Sequence, residues 1–123
     1  MDFDRFLQSN CLVLGRAWDI TCLASLNALE ELDFSRNEVT MLPQWSKERA
    51  LIRIDGSYNQ LTVIAPLGVC QNLNYVMMDH NSITSVNALG SCYNLIEVSV
   101  LSNPVKDVSA LEDMGIIVIY NPL

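Results

Sequence analysis

The chain has 123 residues, of which 50% are apolar and 17% are charged, and its formal net charge is −7. Such a composition excludes an intrinsically disordered chain, and the length fits one domain rather than two. Fourteen Asp and Glu residues against seven Lys and Arg residues argue against a nucleic-acid-binding protein, which needs clustered basic side chains. No apolar run reaches the roughly 18 residues of a membrane-spanning helix, so we expect a soluble core and no membrane partner.

The N-terminal segment carries acidic and aromatic side chains but no basic, apolar leader of the secretory type. Asp2, Asp4, Phe3 and Phe6 predict a cap with a short amphipathic helix near residues 2–9. We assign residues 1–28 to this cap and to a degenerate first repeat, because terminal repeats of a solenoid are usually atypical. Without a leader we expect an intracellular, cytoplasmic protein.

Asparagine recurs every 22 residues along the rest of the chain, at Asn37, Asn59, Asn81 and Asn103. Apolar residues keep a fixed phase to each asparagine over four copies, which indicates a structural repeat rather than coincidence. Eight residues before it stand Leu29, Leu51, Leu73 and Leu95; five before it Leu32, Ile54, Val76 and Val98; two after it Val39, Leu61, Ile83 and Val105. Further on come Leu42, Ile64, Val86 and Val108, then Trp45, Leu67, Leu89 and Leu111.

The copy running from Leu73 to Ile83 resembles the leucine-rich repeat, L-x-x-L-x-L-x-x-N-x-L. The 22-residue period is similar to that of bacterial internalins and of a phosphatase regulatory subunit. This resemblance implies an α/β solenoid: an arc with a parallel, concave β-sheet and short helical, 3-10 or extended segments on the convex side. We place four repeats in residues 29–116 and a truncated last repeat in 117–123, with a strand that begins at 116 or 117.

Alternation with a period of two before each asparagine independently predicts one short strand per repeat. Strands of successive repeats are then parallel neighbours about 4.8 Å apart, and their inward aliphatic side chains stack into one core. Gly56 occupies an inward position, which leaves space for a neighbour such as Met78. In the last repeat Ile116 and Val118 form the inward pair.

The resemblance also implies a structural role for Asn37, Asn59, Asn81 and Asn103. Their amides bond backbone groups at the bend after each strand and stack into a ladder. An amide supplies two donors and one acceptor, which suits a buried turn that lacks backbone partners. We therefore interpret these four residues as structural rather than ligand-binding.

The motif of Asn103-Pro104-Val105 recurs 18 residues later at Asn121-Pro122-Leu123, where the sequence stops without a polar capping element. An open solenoid end exposes apolar surface. We therefore expect that the chain is part of a longer protein or that the last coil contacts a partner.

The sequence contains no recognisable motif for catalysis, for metal binding or for cofactor binding. His80 is the single histidine, and no phosphate-binding glycine loop or HExxH motif occurs. We predict no enzyme activity, no metal and no cofactor. The four cysteines have no CxxC spacing; Cys70 and Cys92 stack in adjacent coils, where reduced core thiols and a disulfide are both geometrically possible.

Outward positions of the strands and of the bends after them define the concave face, the candidate binding surface. One end is charged and the other carries aromatic, Met and Leu side chains, as interaction hot spots do. The predicted partner-binding residues are Glu31, Asp33, Arg36, Arg53, Asp55, Tyr58, Tyr75, Met77, Asp79, His80, Glu97 and Leu101. The other outward positions include Ser99 on the fourth strand and Ile117, Ile119 and Tyr120 on the final strand.

The resemblance implies that the protein is an interaction module that binds a protein partner on the concave face. An excess of carboxylates there predicts a partner with basic character. Two alternatives stay open at this point: a regulatory subunit of an enzyme such as a phosphatase, and a scaffold or capping fragment of a larger multidomain protein.

Overall fold

A computed structural model describes residues 20–25, 28–45 and 50–121 of the chain, and the side chains of residues 22 and 25 are not among those described. The predicted N-terminal cap helix over residues 2–9 lies outside these ranges, as does most of the degenerate first repeat. Within that repeat, Ile20 and Leu23 are fully buried.

Five three-residue strands form one parallel sheet in the order of the chain. They are β1 (Glu31–Asp33), β2 (Arg53–Asp55), β3 (Tyr75–Met77), β4 (Glu97–Ser99) and β5 (Ile117–Ile119). Glu31 pairs with Arg53, Arg53 with Tyr75 and Tyr75 with Glu97, so the register advances by one 22-residue repeat per strand. Glu97 pairs with Ile117, which makes the last coil two residues shorter.

Short helices return the chain from one strand to the next on the opposite side of the core. Three are 3-10 helices, at Thr21–Ser25, Ala65–Val69 and Asn87–Ser91, and the last coil has an α-helix at Ser109–Glu112. Pro66 at the start of the second of them fits the first turn, where its missing N–H has no helical acceptor. The predicted strand-and-short-helix repeat is thus confirmed.

The core consists of the inward columns that the 22-residue spacing predicted. Every member of the five apolar columns, from Leu29 through Leu111, is at most 5% exposed. Each coil is too thin to bury its own apolar face, so the coils stabilise one another by stacking. The predicted solenoid architecture with a parallel sheet is therefore confirmed.

The inward gap at Gly56 is filled from both neighbouring coils. A Cβ atom at this position would lie 2.8 Å from Met78 Sδ, as the spacing suggested, but only 2.5 Å from Phe34 Cζ. Phe34 is 1% exposed and is the largest side chain among those buried below 2%. The space that a side chain at Gly56 would fill is thus occupied by the Phe34 ring of the preceding coil.

Placement of Tyr120 on the concave face was wrong, because Tyr120 packs against the core together with Ile116 and Val118. Val98 pairs with Val118, and this pairing determines which residues of the last strand point inward and which point outward. Ile117 and Ile119 then point outward, at 55% and 38% exposure, and the next residue must turn inward.

The ladder asparagines join successive coils through their side chains. Asn59 Oδ1 accepts a hydrogen bond from Val39 N–H at 2.9 Å, and its Nδ2 donates to the carbonyls of Phe34 and Gly56 at 3.1 and 3.0 Å. Asn81 and Asn103 repeat this pattern one coil further on. All three are at most 9% exposed, so the bends below the concave face are held by bonds that water does not reach.

Two cysteines of neighbouring coils lie in the core without forming a disulfide. Cys70 and Cys92 are both fully buried and not bonded to each other. The Cys92 thiol donates to the carbonyl of Leu67 at 3.3 Å, a bond that requires the protonated form. Burial raises the pKa of this thiol, and a hydrogen bond with Ser91 opposes the shift to a smaller extent.

Candidate functional site

The concave face is built from two outward positions on each strand and two positions in the bend that follows. Because the strands are parallel and in register, equivalent residues of neighbouring coils line up in columns across the sheet. All twelve predicted partner-binding residues are exposed or half-buried. Glu31, Asp33, Arg36, Arg53, Tyr58 and His80 are exposed; Asp55, Tyr75, Met77, Asp79, Glu97 and Leu101 are half-buried.

The N-terminal end of this face is charged. Glu31 lies opposite Arg53, and Asp33 lies opposite Asp55. Asp33 also accepts hydrogen bonds from the backbone N–H and the hydroxyl of Ser35, at 2.9 and 2.7 Å. Asp55 accepts one from the backbone N–H of the equivalent Ser57, at 3.0 Å. Both aspartates therefore fix the start of the bend while presenting charge to solvent.

Three planar side chains stack along the edge of the face. Arg36 Cζ lies 4.3 Å from the centre of the Tyr58 ring, and the Tyr58 and His80 ring centres are 4.3 Å apart with planes inclined by only 12°. Each residue directly precedes a ladder asparagine and has a φ of 56° to 60°. All three residues were predicted to lie on the face, but their stacking was not predicted, although their 22-residue spacing could have indicated it.

Asp79 organises the middle of the face through bonds to the next coil. Its Oδ1 accepts hydrogen bonds from the Ser99 hydroxyl at 2.6 Å and from the Leu101 N–H at 2.8 Å. The Asp79 N–H in turn donates to the hydroxyl of Ser57 in the preceding coil, at 3.1 Å. Three successive coils are thus tied together at the positions that follow the strands.

The C-terminal end of the face is mostly apolar. Met77, Ser99 and Ile119 lie side by side in register on β3, β4 and β5. Ser99 is only 4% exposed although its position points outward, whereas Ile119 is 38% exposed. The small Ser99 side chain is therefore covered by its neighbours, which include the Asp79 carboxylate that accepts its hydroxyl hydrogen bond.

A second depression lies at the edge where the chain enters the strands. Its volume is about 450 Å³, and it is lined by Glu30, Ala50, Ile52, Asn72, Asn74 and Asn94. The amide of Asn74 donates to the carbonyl of Asn94 at 2.7 Å, and the amide of Asn94 donates to the carbonyl of Gln71 at 3.0 Å. These amide donors bond neighbouring coils, which gives the edge a structural role.

Within residues 20–25, 28–45 and 50–121, no group of three or more His, Cys, Asp or Glu side chains is placed to hold a metal ion. Over the same ranges, none of the helices has both the length and the apolar character needed to cross a bilayer. The arrangement on the concave face supplies charged, aromatic and aliphatic contact surface.

Solved structures of two internalins from Listeria monocytogenes share this fold. Internalin C2 superposes with a TM-score of 0.71 at 27% sequence identity, over 86% of this chain and 47% of that chain. Internalin F superposes with a TM-score of 0.71 at 21% identity, over 88% of this chain and 31% of that chain. The chain thus spans about half and about a third of their lengths. Neither a family model nor a curated protein matches the sequence.

Proposed function

We propose that this chain, which has the fold of a leucine-rich repeat protein, is a protein-interaction module whose concave face binds a partner protein. The observation that supports the proposal is that Tyr58, Tyr75 and Met77 all occupy outward positions of the concave face and are exposed or half-buried. Tyrosine is enriched in interface hot spots because its rigid ring buries a large contact area at low entropic cost, and methionine adapts its shape to irregular partner surfaces.

The rigidity of the face supports the same proposal. The asparagine ladder, the Asp79 bonds and the Arg36–Tyr58–His80 stack hold its side chains through contacts between coils. A surface that is already ordered loses less conformational entropy when a partner docks, so more of the contact energy contributes to affinity. We propose binding, rather than catalysis, as the role of this surface.

Charge supports a basic partner. The concave face carries five carboxylates, at Glu31, Asp33, Asp55, Asp79 and Glu97, against two guanidinium groups, at Arg36 and Arg53. Complementary charge speeds the encounter of two proteins and is screened by salt. We expect the association rate to fall when ionic strength rises; association that becomes faster at high salt would contradict a basic partner.

The test of the face compares two triple variants in affinity capture from cells that express the protein. Tyr58→Ala/Tyr75→Ala/Met77→Ala removes the proposed hot spot. Met41→Ala/Val63→Ala/Tyr93→Ala removes three exposed apolar side chains that lie outside the strands and the bends after them. Circular dichroism first establishes that both variants keep the fold of the wild type.

We expect a partner, identified by mass spectrometry, whose capture falls about tenfold or more with the first variant and is unchanged with the second. Equal capture by both, or equal loss, would overturn the proposal. A captured enzyme such as a phosphatase would assign the module to the regulation of that enzyme, and its activity would be assayed in the complex.

We also propose that the protein works in a reducing, intracellular compartment. The Cys92 thiol supports this, because it donates a hydrogen bond to the Leu67 carbonyl instead of forming a disulfide, and disulfides persist mainly in oxidising compartments. Mass-spectrometric mapping of protein alkylated directly on cell lysis would show both cysteines modified by the alkylating reagent. A Cys70–Cys92 disulfide in that experiment would overturn the proposal.

A further inference from the structure

Glu97 is a carboxylate with apolar neighbours on both sides. It lies in register between Tyr75 on β3 and Ile117 on β5. Its side chain is half-buried, and within the described residues its carboxylate has no hydrogen-bond or ion-pair partner. The two guanidinium groups of the concave face are remote: Arg53 lies two strands away, about 10 Å, and Arg36 stacks on Tyr58.

The next outward position along the same three strands borders Glu97, and we call this part of the surface the slot. Met77, Ser99 and Ile119 lie there side by side, with Met77 and Ile119 two strand spacings or about 10 Å apart and the smaller Ser99 between them. The Ser99 hydroxyl donates to Asp79, so its proton is already used in a hydrogen bond. The slot thus offers apolar surface from Met77 and Ile119 and one unpaired carboxylate, that of Glu97, at the end nearest the start of β4.

This combination fits a basic side chain better than an apolar one. The methylene stem of an arginine or lysine can lie on aliphatic surface while its charged head reaches a polar group. An apolar side chain in the slot would remove water from Glu97 without giving the carboxylate a partner, which is unfavourable. The Tyr75 ring beside Glu97 adds a further site that attracts a cation.

We infer that the slot formed by Glu97, Ser99, Met77 and Ile119 is the subsite for one arginine or lysine side chain of the partner protein. The cationic head pairs with Glu97 between Tyr75 and Ile117, and the stem crosses Ser99. This inference rests on the proposed function, because it names the partner chemistry that one part of the concave face recognises.

The experiment titrates the ¹⁵N-labelled protein with a blocked pentapeptide, acetyl-Ala-Val-Arg-Val-Ala-amide, and follows the backbone amide signals by NMR. The matched peptide carries citrulline in place of arginine, which keeps the shape of the side chain and removes its charge. We expect millimolar binding of the arginine peptide, with the largest shifts at Tyr75, Glu97 and Ile117, and about fivefold weaker binding of the citrulline peptide.

Two pairs of variants separate the slot from general charge and from folding defects. Glu97→Gln should weaken arginine-peptide binding about fivefold to tenfold, whereas Glu112→Gln on the opposite side of the core, with the same charge change, should alter it less than about twofold. Ile117→Ala should weaken binding about twofold to threefold, and Ile96→Ala, which shortens an exposed isoleucine outside the strands, should not.

Equal affinity for the two peptides, equal effects of Glu97→Gln and Glu112→Gln, or the absence of shifts at Glu97 at about 10 mM peptide would each overturn the inference. Different outcomes test the proposed function and the arginine or lysine subsite. If the partner is lost with the Tyr58/Tyr75/Met77 variant but retained with Glu97→Gln, the face binds a protein and the arginine or lysine subsite is wrong. If the partner is retained with that triple variant, the concave-face proposal itself fails.

Discussion

The side-chain oxygen of Asn81 accepts a hydrogen bond from the backbone N–H of Leu61, 20 residues earlier in the chain, at 2.9 Å. The amide nitrogen of the same residue donates to the carbonyl of Gly56 in that earlier coil and to those of Met78 and Asp79 in its own. One buried amide therefore satisfies backbone groups of two coils at once, and it fixes how one repeat sits on the next.

Asn81→Ala should lower the free energy of unfolding by about 1–3 kcal/mol, because it leaves the buried N–H of Leu61 and several carbonyls without partners. Urea unfolding followed by circular dichroism measures the loss. Asn87→Ala is the matched control, since the Asn87 side chain is exposed in a 3-10 helix. The same loss in both variants would contradict the role of the ladder.

Gly56→Ala should destabilise the protein by about 1–3 kcal/mol, because the added methyl group would enter the space of Phe34 and Met78. Gly90→Ala is the control: its added methyl group would meet Ala110 Cβ at an ordinary 3.8 Å. We expect the control to be neutral or slightly stabilising. Phe34→Leu combined with Gly56→Ala should recover part of the loss; a purely additive double variant would argue against the clash.

Stability should fall as the pH rises above about 8.5, partly through Cys92. Burial raises the pKa of this thiol in the folded chain, so the unfolded chain releases the proton at a lower pH. The contribution of this thiol to the free energy of unfolding is complete below its pKa in the unfolded chain. It is lost as the pH rises through its higher pKa in the folded chain. Urea midpoints between pH 7 and 10 should decline less steeply in Cys92→Ala than in the wild type; identical slopes would contradict this assignment.

Arg36 and Tyr58 should be energetically coupled through their stacking contact. A double-mutant cycle with Arg36→Gln and Tyr58→Leu compares the free energies of unfolding of the four proteins. It should give a coupling free energy of about 0.5–1 kcal/mol, the range of exposed cation–π pairs. The control cycle replaces Arg36→Gln by Arg53→Gln, a guanidinium of the same face that does not precede a ladder asparagine. Equal coupling in the two cycles would show that general charge, and not the stack, is responsible.

Spacing in the sequence was sufficient to predict the sheet and the core. Leu51, Ile54, Leu61, Ile64 and Leu67 are all buried as their columns required. This works because each coil packs mainly on the coils next to it, so one repeat register determines strand direction, strand pairing and the inward face together. Tyr120 was misplaced because the last coil is shorter than the others. The inward and outward positions of its strand follow from the pairing of Val118 with Val98, which the 22-residue spacing does not give.

The arrangement of the concave face could be predicted only in part from the sequence. The outward positions could be assigned from alternation alone, and their exposed or half-buried environment agrees with that assignment. The bonds of Asp79 to Ser99 and Leu101 were not predicted, because they connect side chains to partners 20 and 22 residues away. Nor was the filling of the Gly56 gap by the ring of Phe34.

The sequence by itself determined the repeat: its period, the inward columns and the asparagine at each bend, since these follow from local alternation copied four times. Only the tertiary structure decided which outward side chains meet. The Arg36–Tyr58–His80 stack needs the left-handed backbone of three bends, and the slot beside Glu97 needs β5 in register with β4. Such contacts depend on side-chain size and backbone angle in neighbouring coils, which a pattern of apolar positions does not encode.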